Sequence, residues 1–139
     1  MLERVRQIIL AEFPKGLSFI RDYDVSVPTL RGDREQLLQV FLNIEKNAAE
    51  ALDGKIAEGT AEIRVITRVA QQVQIGLRRY RLALSIHIQD NGPGVPPEIR
   101  DRIFYPLVTG KANGSGLGLS LAQNFIRQHD GSIDVESEP

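Results

Sequence analysis

The chain has 139 residues, 42% of them hydrophobic and 25% charged, the proportions of one globular domain that can bury a core without a metal or disulfide staple. Seventeen Lys and Arg stand against eighteen Asp and Glu, a balance that speaks against a protein built to grip a nucleic-acid backbone. The lack of Cys excludes a disulfide framework, a thiolate metal site and a cysteine nucleophile, while no apolar run approaches the ~18 residues of a membrane span and no signal peptide opens the chain, so a cytoplasmic protein is expected.

Val5, Ile8, Ile9 and Phe13 are spaced for a helix or a short strand, and the pattern does not choose between them. Leu17–Val27 holds strand formers (Phe19, Ile20, Tyr23, Val25) up to Pro28, which predicts one or two strands. Asp33 opens the clearest helix, running to about Leu52, with Asp33 as N-cap and Gln36 placed for a capping box. Gly54 and Gly59 are expected to end it and make a flexible connection. Ile63, Val65 and Thr67 alternate with charged residues, and Leu82, Leu84, Ile86 and Ile88 alternate with Ser85, His87 and Gln89. These are two half-buried strands of a long hairpin, joined through Gln71–Arg81 with Gly76 near the middle. A loop over Asp90–Pro97 and a short helix around Glu98–Phe104 follow. Tyr105–Gly116, with Pro106, Gly110, Gly114 and Gly116 and no periodicity, predicts a mobile loop. A last helix is expected from about Leu117 to His129, closed by Gly131 at C′, then a strand beginning at Ile133 and Val135 that the end at Pro139 cuts short. No repeat or internal boundary appears, so residues 1–139 read as one domain.

Three sets of residues have the composition for chemistry. At about 100° per residue, Asn43, Asn47 and Glu50 share an arc of roughly 60° on the long helix, opposite Leu37, Phe41, Ile44, Ala48 and Leu52. Asn is a mediocre helix former. Two amides one turn apart with a carboxylate beyond suit a Mg2+ ion that arrives with phosphate oxygens attached, although a solvated face would look the same. Asp90-Asn91-Gly92-Pro93-Gly94 follows a strand; its glycines let backbone approach a flat ligand, and Asp90 can accept from an exocyclic amine such as adenine N6. An ordinary Asn-Gly turn is the alternative there. Gly114-Ser115-Gly116-Leu117-Gly118-Leu119 leads into a helix, where free backbone N–H groups can wrap an anion beside the Lys111 charge. A flexible linker reads equally well. No Gly-Lys-Ser/Thr closes the run, so it is not a Walker loop.

In this order the sets resemble the N, G1, F and G2 boxes of the GHKL superfamily, which holds gyrase-type and chaperone-type ATPases, a mismatch-repair family and sensor histidine kinases. Asn43–Asn47 corresponds to the N box, Asp90–Gly94 to G1, Phe104 with Pro106 to F, and Gly114–Leu119 to G2, over residues 30–135. The run Asn47-Ala48-Ala49-Glu50-Ala51-Leu52 and the stretch Phe104-Tyr105-Pro106-Leu107-Val108 look most like nitrogen-regulation histidine kinases of the NtrB type. The resemblance implies the Bergerat fold, an α/β two-layer sandwich with a mixed, mainly antiparallel sheet and helices on one face. It implies a catalytic domain that takes ATP and Mg2+. Asn47 would hold the metal, with Asn43, Glu50 and Ala51 beside it. Asp90 would take the adenine amine, and Gly92, Gly94 and Val95 would border the ring. Lys111 and Ser115, Gly116, Leu117, Gly118 and Leu119 would surround the phosphates, and a lid would span Phe104, Tyr105, Gly110 and Gly114. The implied partners are the kinase's own dimerisation and phosphoacceptor domain, an NtrC-like response regulator and a PII-type regulator, with neither nucleic acid nor membrane.

Where ATPase members carry the hydrolytic general base, the alignment puts Asn43. An amide takes no proton from water at neutral pH, which favours phosphoryl transfer over hydrolysis. A GHKL ATPase of another branch and a nucleotide-binding interaction module are the alternatives. The acceptor is missing: His87 sits in a strand, and His129, in the last turn of a helix, is expected to complement its dipole. A fragment of a longer kinase, unable to phosphorylate itself, is therefore expected. Glu45 falls among Leu38, Phe41, Ala48, Ala49 and Leu52, and since an unpaired buried carboxylate is costly it is expected to be solvent-accessible or salt-bridged. Arg78, Arg79 and Arg81 are expected at a solvated hairpin end.

Overall fold

The computed structural model describes residues 1–27, 31–92 and 118–133. Val5 and Ile9, one turn apart and both fully buried, settle the first segment as a helix, α1 (Leu2–Glu12). A single strand follows, β1 (Leu17–Tyr23). The long helix α2 (Arg34–Ala51) starts where expected: the Asp33 side chain accepts from the Gln36 N–H at 3.1 Å, satisfying one of the orphan donors of the first turn. A short helix α3 (Asp53–Glu58) precedes the long strands β2 (Ala61–Ile75) and β3 (Arg78–Asp90). The last helix is α4 (Gly118–Gln128).

The strand order is β1-β2-β3. β1 runs parallel to β2, from Leu17 opposite Ala61 to Tyr23 opposite Thr67, and β2 runs antiparallel to β3, from Ile63 opposite Asp90 to Ile75 opposite Arg78. The sheet is mixed, as expected, and α2 lies against it with α1 and α4 packed on α2. On β2, Ala61, Ile63, Val65 and Thr67 are buried and alternate with less buried neighbours, the period-2 pattern of a strand with one face on a core. That face meets Leu37, Val40, Phe41, Ala48, Ala49 and Leu52 of α2 and its C-cap, together with Ala122 of α4. Each fully buried Ile or Val contributes about 1.5–3 kcal/mol. Buried Thr67 is satisfied, its Oγ1 accepting from the Asp24 N–H at 2.9 Å.

Several expectations are corrected. The hairpin strands run further than the apolar alternation, leaving only Gly76-Leu77 as the turn; Gly76 takes the left-handed φ of +61° that suits a two-residue hairpin connection. The ladder skips Gln72, whose φ is +54°, between the pairs Gln71–Leu82 and Val73–Tyr80. Arg78, Arg79 and Arg81 are exposed near this end. Gly54 does not end a helix but sits inside α3, which is closed by Gly59 in the left-handed conformation at φ +77°. At the end of α4 the left-handed residue is Asp130, at φ +60°, not Gly131. The Asp130 N–H donates to Arg127 O at 3.0 Å and the Gly131 N–H to Ile126 O at 2.9 Å, a Schellman closure with an Asp at C′. Among the described residues no helix is long and apolar enough to cross a membrane. The expected loop beyond Gly92, the Glu98–Phe104 helix, the Tyr105–Gly116 loop and the strand beyond Ile133 lie outside the described residues.

The largest correction concerns Glu45. It is 0% exposed, and among the described residues neither carboxylate oxygen has a hydrogen-bond partner. Burial pushes its carboxyl from an ordinary 4.5 up to about 8. The Tyr23 hydroxyl and Glu3 Oε1 are buried nearby. Burial, then the charges of Glu3 and Glu45, push the Tyr23 phenol up to about 12, so these three side chains share the junction of α1, β1 and α2. Glu3 is held from outside: its Oε2 accepts from Arg6 at 3.1 Å and Arg21 at 3.3 Å. Burial raises its pKa, but those guanidiniums outweigh it and the carboxyl ends below its ordinary value.

Gly16 enters β1 at φ +83°, and a Cβ there would collide with the Ile56 carbonyl of α3. Gly16→Ala is expected to lower unfolding stability by about 2–4 kcal/mol, combining left-handed strain with the clash, a loss readable as a lower urea midpoint at unchanged slope.

Candidate functional site

Asn43, Asn47, Glu50 and Ala51 all lie on α2, the two asparagines half-buried and the other two exposed. The helix turns the apolar arc centred on Leu37, Phe41 and Ala48 into the core, which places the amides at its border. Among the described residues no group of three or more His, Cys, Asp or Glu could hold a metal ion unaided. The donor set of the helix is therefore amide oxygens and one carboxylate, which fits a divalent ion brought by a ligand's own phosphates and not a stand-alone metal centre.

At the end of β3, Asp90 pairs with Ile63 of β2 and is exposed. Its Oδ1 accepts from the Gly92 N–H at 2.8 Å, bracing the turn. Asn91, which sequence reasoning treated only as part of a turn, anchors that turn to the sheet. Its Oδ1 accepts from the Glu62 N–H at 2.9 Å, and its Nδ2 donates to Thr60 O at 2.8 Å. The backbone at Gly92 is closely approached: a Cβ there would stand 2.9 Å from Asp90 Oδ1, 3.0 Å from Leu52 Cδ2 and 3.7 Å from Ala51 O, so a larger residue would push those side chains aside. The Asp90 turn and the C-terminal end of the asparagine-bearing helix touch.

α4 packs beside these elements. Gly118 opens it, Leu119 is half-buried in its first turn, Ser120 and Ala122 are buried, and the helix packs on α2. Gly94, Val95, Phe104, Tyr105, Gly110, Lys111, Gly114, Ser115, Gly116 and Leu117 lie outside the described residues. A cavity of about 960 Å³ exists elsewhere, between α2 and β3, with Val40, Phe41, Ile44, Leu84, Ile86 and Ile88 in its lining. None of Asn43, Asn47 or Asp90 borders it, and its lining, mostly apolar with Glu3, Thr67, His129 and Asp130 at its edges, offers no cluster of donors for a triphosphate.

His129, expected to complement the dipole of α4, meets a last-turn carbonyl of that helix and also bonds a second helix. Its Nε2 accepts from the backbone N–H of Asp33 at 2.8 Å, while its Nδ1 lies 2.7 Å from Phe125 O. A carbonyl only accepts, so the hydrogen-bond pattern assigns the ring proton to Nδ1. His87 is exposed on β3 opposite Ile66.

Residues 32–139 match the family described as histidine kinase-, DNA gyrase B- and HSP90-like ATPase. The chain belongs to this ATPase family. The family domain is 49% identical over 137 residues to the sensory histidine kinase/phosphatase NtrB of Salmonella typhimurium, covering 99% of this chain and 38% of that protein. Against NtrB of Vibrio alginolyticus the identity is 45% over 139 residues, covering 100% of this chain and 39% of that protein. The chain therefore spans about two-fifths of the length of these relatives. In fold, the ATPase-family domain is similar to the mycobacterial sensor histidine kinase MprB, with a TM-score of 0.74, 23% identity, and coverage of 96% of this chain and 80% of that one. It is also similar to histidine kinase ThkA in a complex with the response regulator protein TrrA, with a TM-score of 0.62, 21% identity, and coverage of 94% and 33%.

Proposed function

We propose that this chain is the ATP-binding catalytic domain of a longer sensor histidine kinase of the NtrB type, and that it passes the γ-phosphoryl group of ATP to a histidine on a dimerisation domain outside these residues. The observation that supports the reading is that the Gly92 backbone lies against the Ala51–Leu52 end of α2, about one helical turn beyond the Asn43–Asn47 stretch. In this reading Asp90 accepts from the adenine amine. Gly92, Gly94 and Val95 border the ring, and Asn43, Glu50 and Ala51 line the cleft from α2. Lys111 and Ser115 to Leu119 surround the phosphates, and the segment holding Phe104, Tyr105, Gly110 and Gly114 closes over them. Asn47 would hold Mg2+, which would supply charge neutralisation for the phosphate oxygens. Asn43 in place of a general base leaves water unactivated, so a protein acceptor is the favoured nucleophile. Neither histidine in the chain suits that role, since both ring nitrogens of His129 are engaged and His87 sits within a strand. An NtrC-like response regulator and a PII-type protein are the proposed partners, in the cytoplasm.

The test is transfer from γ-labelled ATP to a separately supplied dimerisation domain of an NtrB relative. Acid-labile label on its histidine is expected. Release of free phosphate at the same rate with or without that acceptor would overturn the transfer reading in favour of hydrolysis. The metal role is read separately: Asn47→Ala is expected to remove most of the Mg2+ dependence of ATP affinity, measured by calorimetry with and without chelator, while nucleotide still binds weakly through its base.

A further inference from the structure

We propose that His129 is a positioning residue for the nucleotide site, clamping the N-cap turn of α2 to the C-terminal turn of α4. The inference rests on the ATP-binding reading above. A capping box would send the Gln36 side chain back to the Asp33 N–H. Here that N–H donates to His129 Nε2 at 2.8 Å, from 96 residues away in sequence. The ring is held on its other side by Phe125 O at 2.7 Å from Nδ1, so the imidazole spans the two helices with both nitrogens used. Its seat requires glycine at 32: a Cβ there would lie 2.7 Å from His129 Cδ2, 2.9 Å from Nε2 and 2.9 Å from Leu37 Cδ1.

The clamp stands at the end of each helix remote from the site residues. Asn43 and Asn47 lie in the second half of α2, and α4 begins at Gly118, where the glycine-rich run ends. α4 has 11 residues and is therefore about 17 Å long. A tilt of about 3° pivoting at His129 moves its N-terminus by roughly 1 Å, a displacement large enough to spoil a phosphate-binding geometry. His129 thus fixes the mutual angle of two walls of the cleft without touching the nucleotide.

Two isosteres separate the clamp from mere packing. In His129→Gln the amide oxygen can occupy the Nε2 position and still accept from Asp33. In His129→Asn the amide reaches only the Nδ1 position and the cross-helix bond is lost. On the 139-residue chain, nitrogen-15 NMR is expected to show the Nδ1–H tautomer in the wild type. The Asp33 amide should be protected from exchange in the wild type and His129→Gln and unprotected in His129→Asn and Gly32→Ala. Calorimetry is expected to show Mg-ATP binding about tenfold weaker for His129→Asn and Gly32→Ala, with His129→Gln within about threefold of wild type. Equal affinities for the Gln and Asn variants, whether both normal or both weak, would overturn the proposal, as would an Nε2–H tautomer. A wild-type chain that binds no nucleotide would sink the ATP reading and the positioning role with it, while the Asp33 exchange data would still report whether the clamp itself exists.

Discussion

Asp90→Ala is expected to weaken ATP binding by at least about 100-fold, because a charge-assisted hydrogen bond is lost and the adenine amine is left desolvated without an acceptor. The fold should survive, since Asp90 is exposed and the Asn91 side chain ties the turn to Thr60 and Glu62 independently; melting within a few degrees of wild type checks this. The alanine variant also removes the brace from Asp90 Oδ1 to the Gly92 N–H, so on its own it confounds turn geometry with base recognition. Asp90→Asn separates them. Its amide oxygen can keep the brace, while its NH2 group presents a donor where the adenine amine also donates. If the carboxylate reads the base, the Asn variant should lose ATP nearly as completely as the Ala variant and should narrow any preference for ATP over GTP, since guanine offers an oxygen acceptor at the corresponding position. Normal ATP affinity in either variant would remove Asp90 from the adenine site.

How much of this was legible in the sequence depends on whether the deciding interaction was local. α2 was legible because its cap, Asp33, is three residues from the N–H it satisfies and its apolar residues repeat every turn. The same period also put Glu45 on the buried arc. The expectation that its chemistry would pull it to solvent or to a partner failed because Val40, Phe41, Ala48 and Ala49, all buried, bracket it, and a rigid helix cannot turn one residue out without turning its neighbours. Gly54 misled in the opposite direction: the cost of a glycine in a helix, about 1 kcal/mol, is too small to end one when Gly59 supplies a left-handed cap five residues later. Asp130 took the left-handed position expected of Gly131, because Asp tolerates that conformation. The Asp33–His129 bond, and the seat of Gly92 between Asp90 and Leu52, had no local pattern at all. Both are contacts between distant segments, and in both the sequence showed only a glycine whose reason lay elsewhere. The motif order carried the family, and the structure added the approach of Gly92 to the Ala51–Leu52 end of α2.

Glu45→Leu is expected to stabilise the protein by on the order of 3 kcal/mol at pH 7, because it replaces a buried carboxyl that lacks a partner by an apolar side chain of similar size. The gain should depend on pH in a defined direction. The folded-state carboxyl titrates at about 8 against an ordinary 4.5, so between those pH values the native chain holds a proton that the unfolded chain has released. Stability then falls as pH rises, by at most about 1.4 kcal/mol per unit, and levels off above the folded-state value. The leucine variant lacks this slope. Its advantage over wild type should therefore be smallest near pH 4, grow through pH 5–8 and become constant beyond, a difference that cancels the titrations the two proteins share. For a chain of this length, 3 kcal/mol corresponds to roughly 10 °C in Tm. Paired urea titrations at pH 4.5, 6, 7 and 8.5 measure the difference directly. A pH-independent difference would mean that the carboxylate finds water or a cation when it ionises. A less stable variant would mean that Glu45, together with Tyr23 and Glu3 at the same junction, holds α1 and β1 against α2 in a way that bulk hydrophobicity cannot replace.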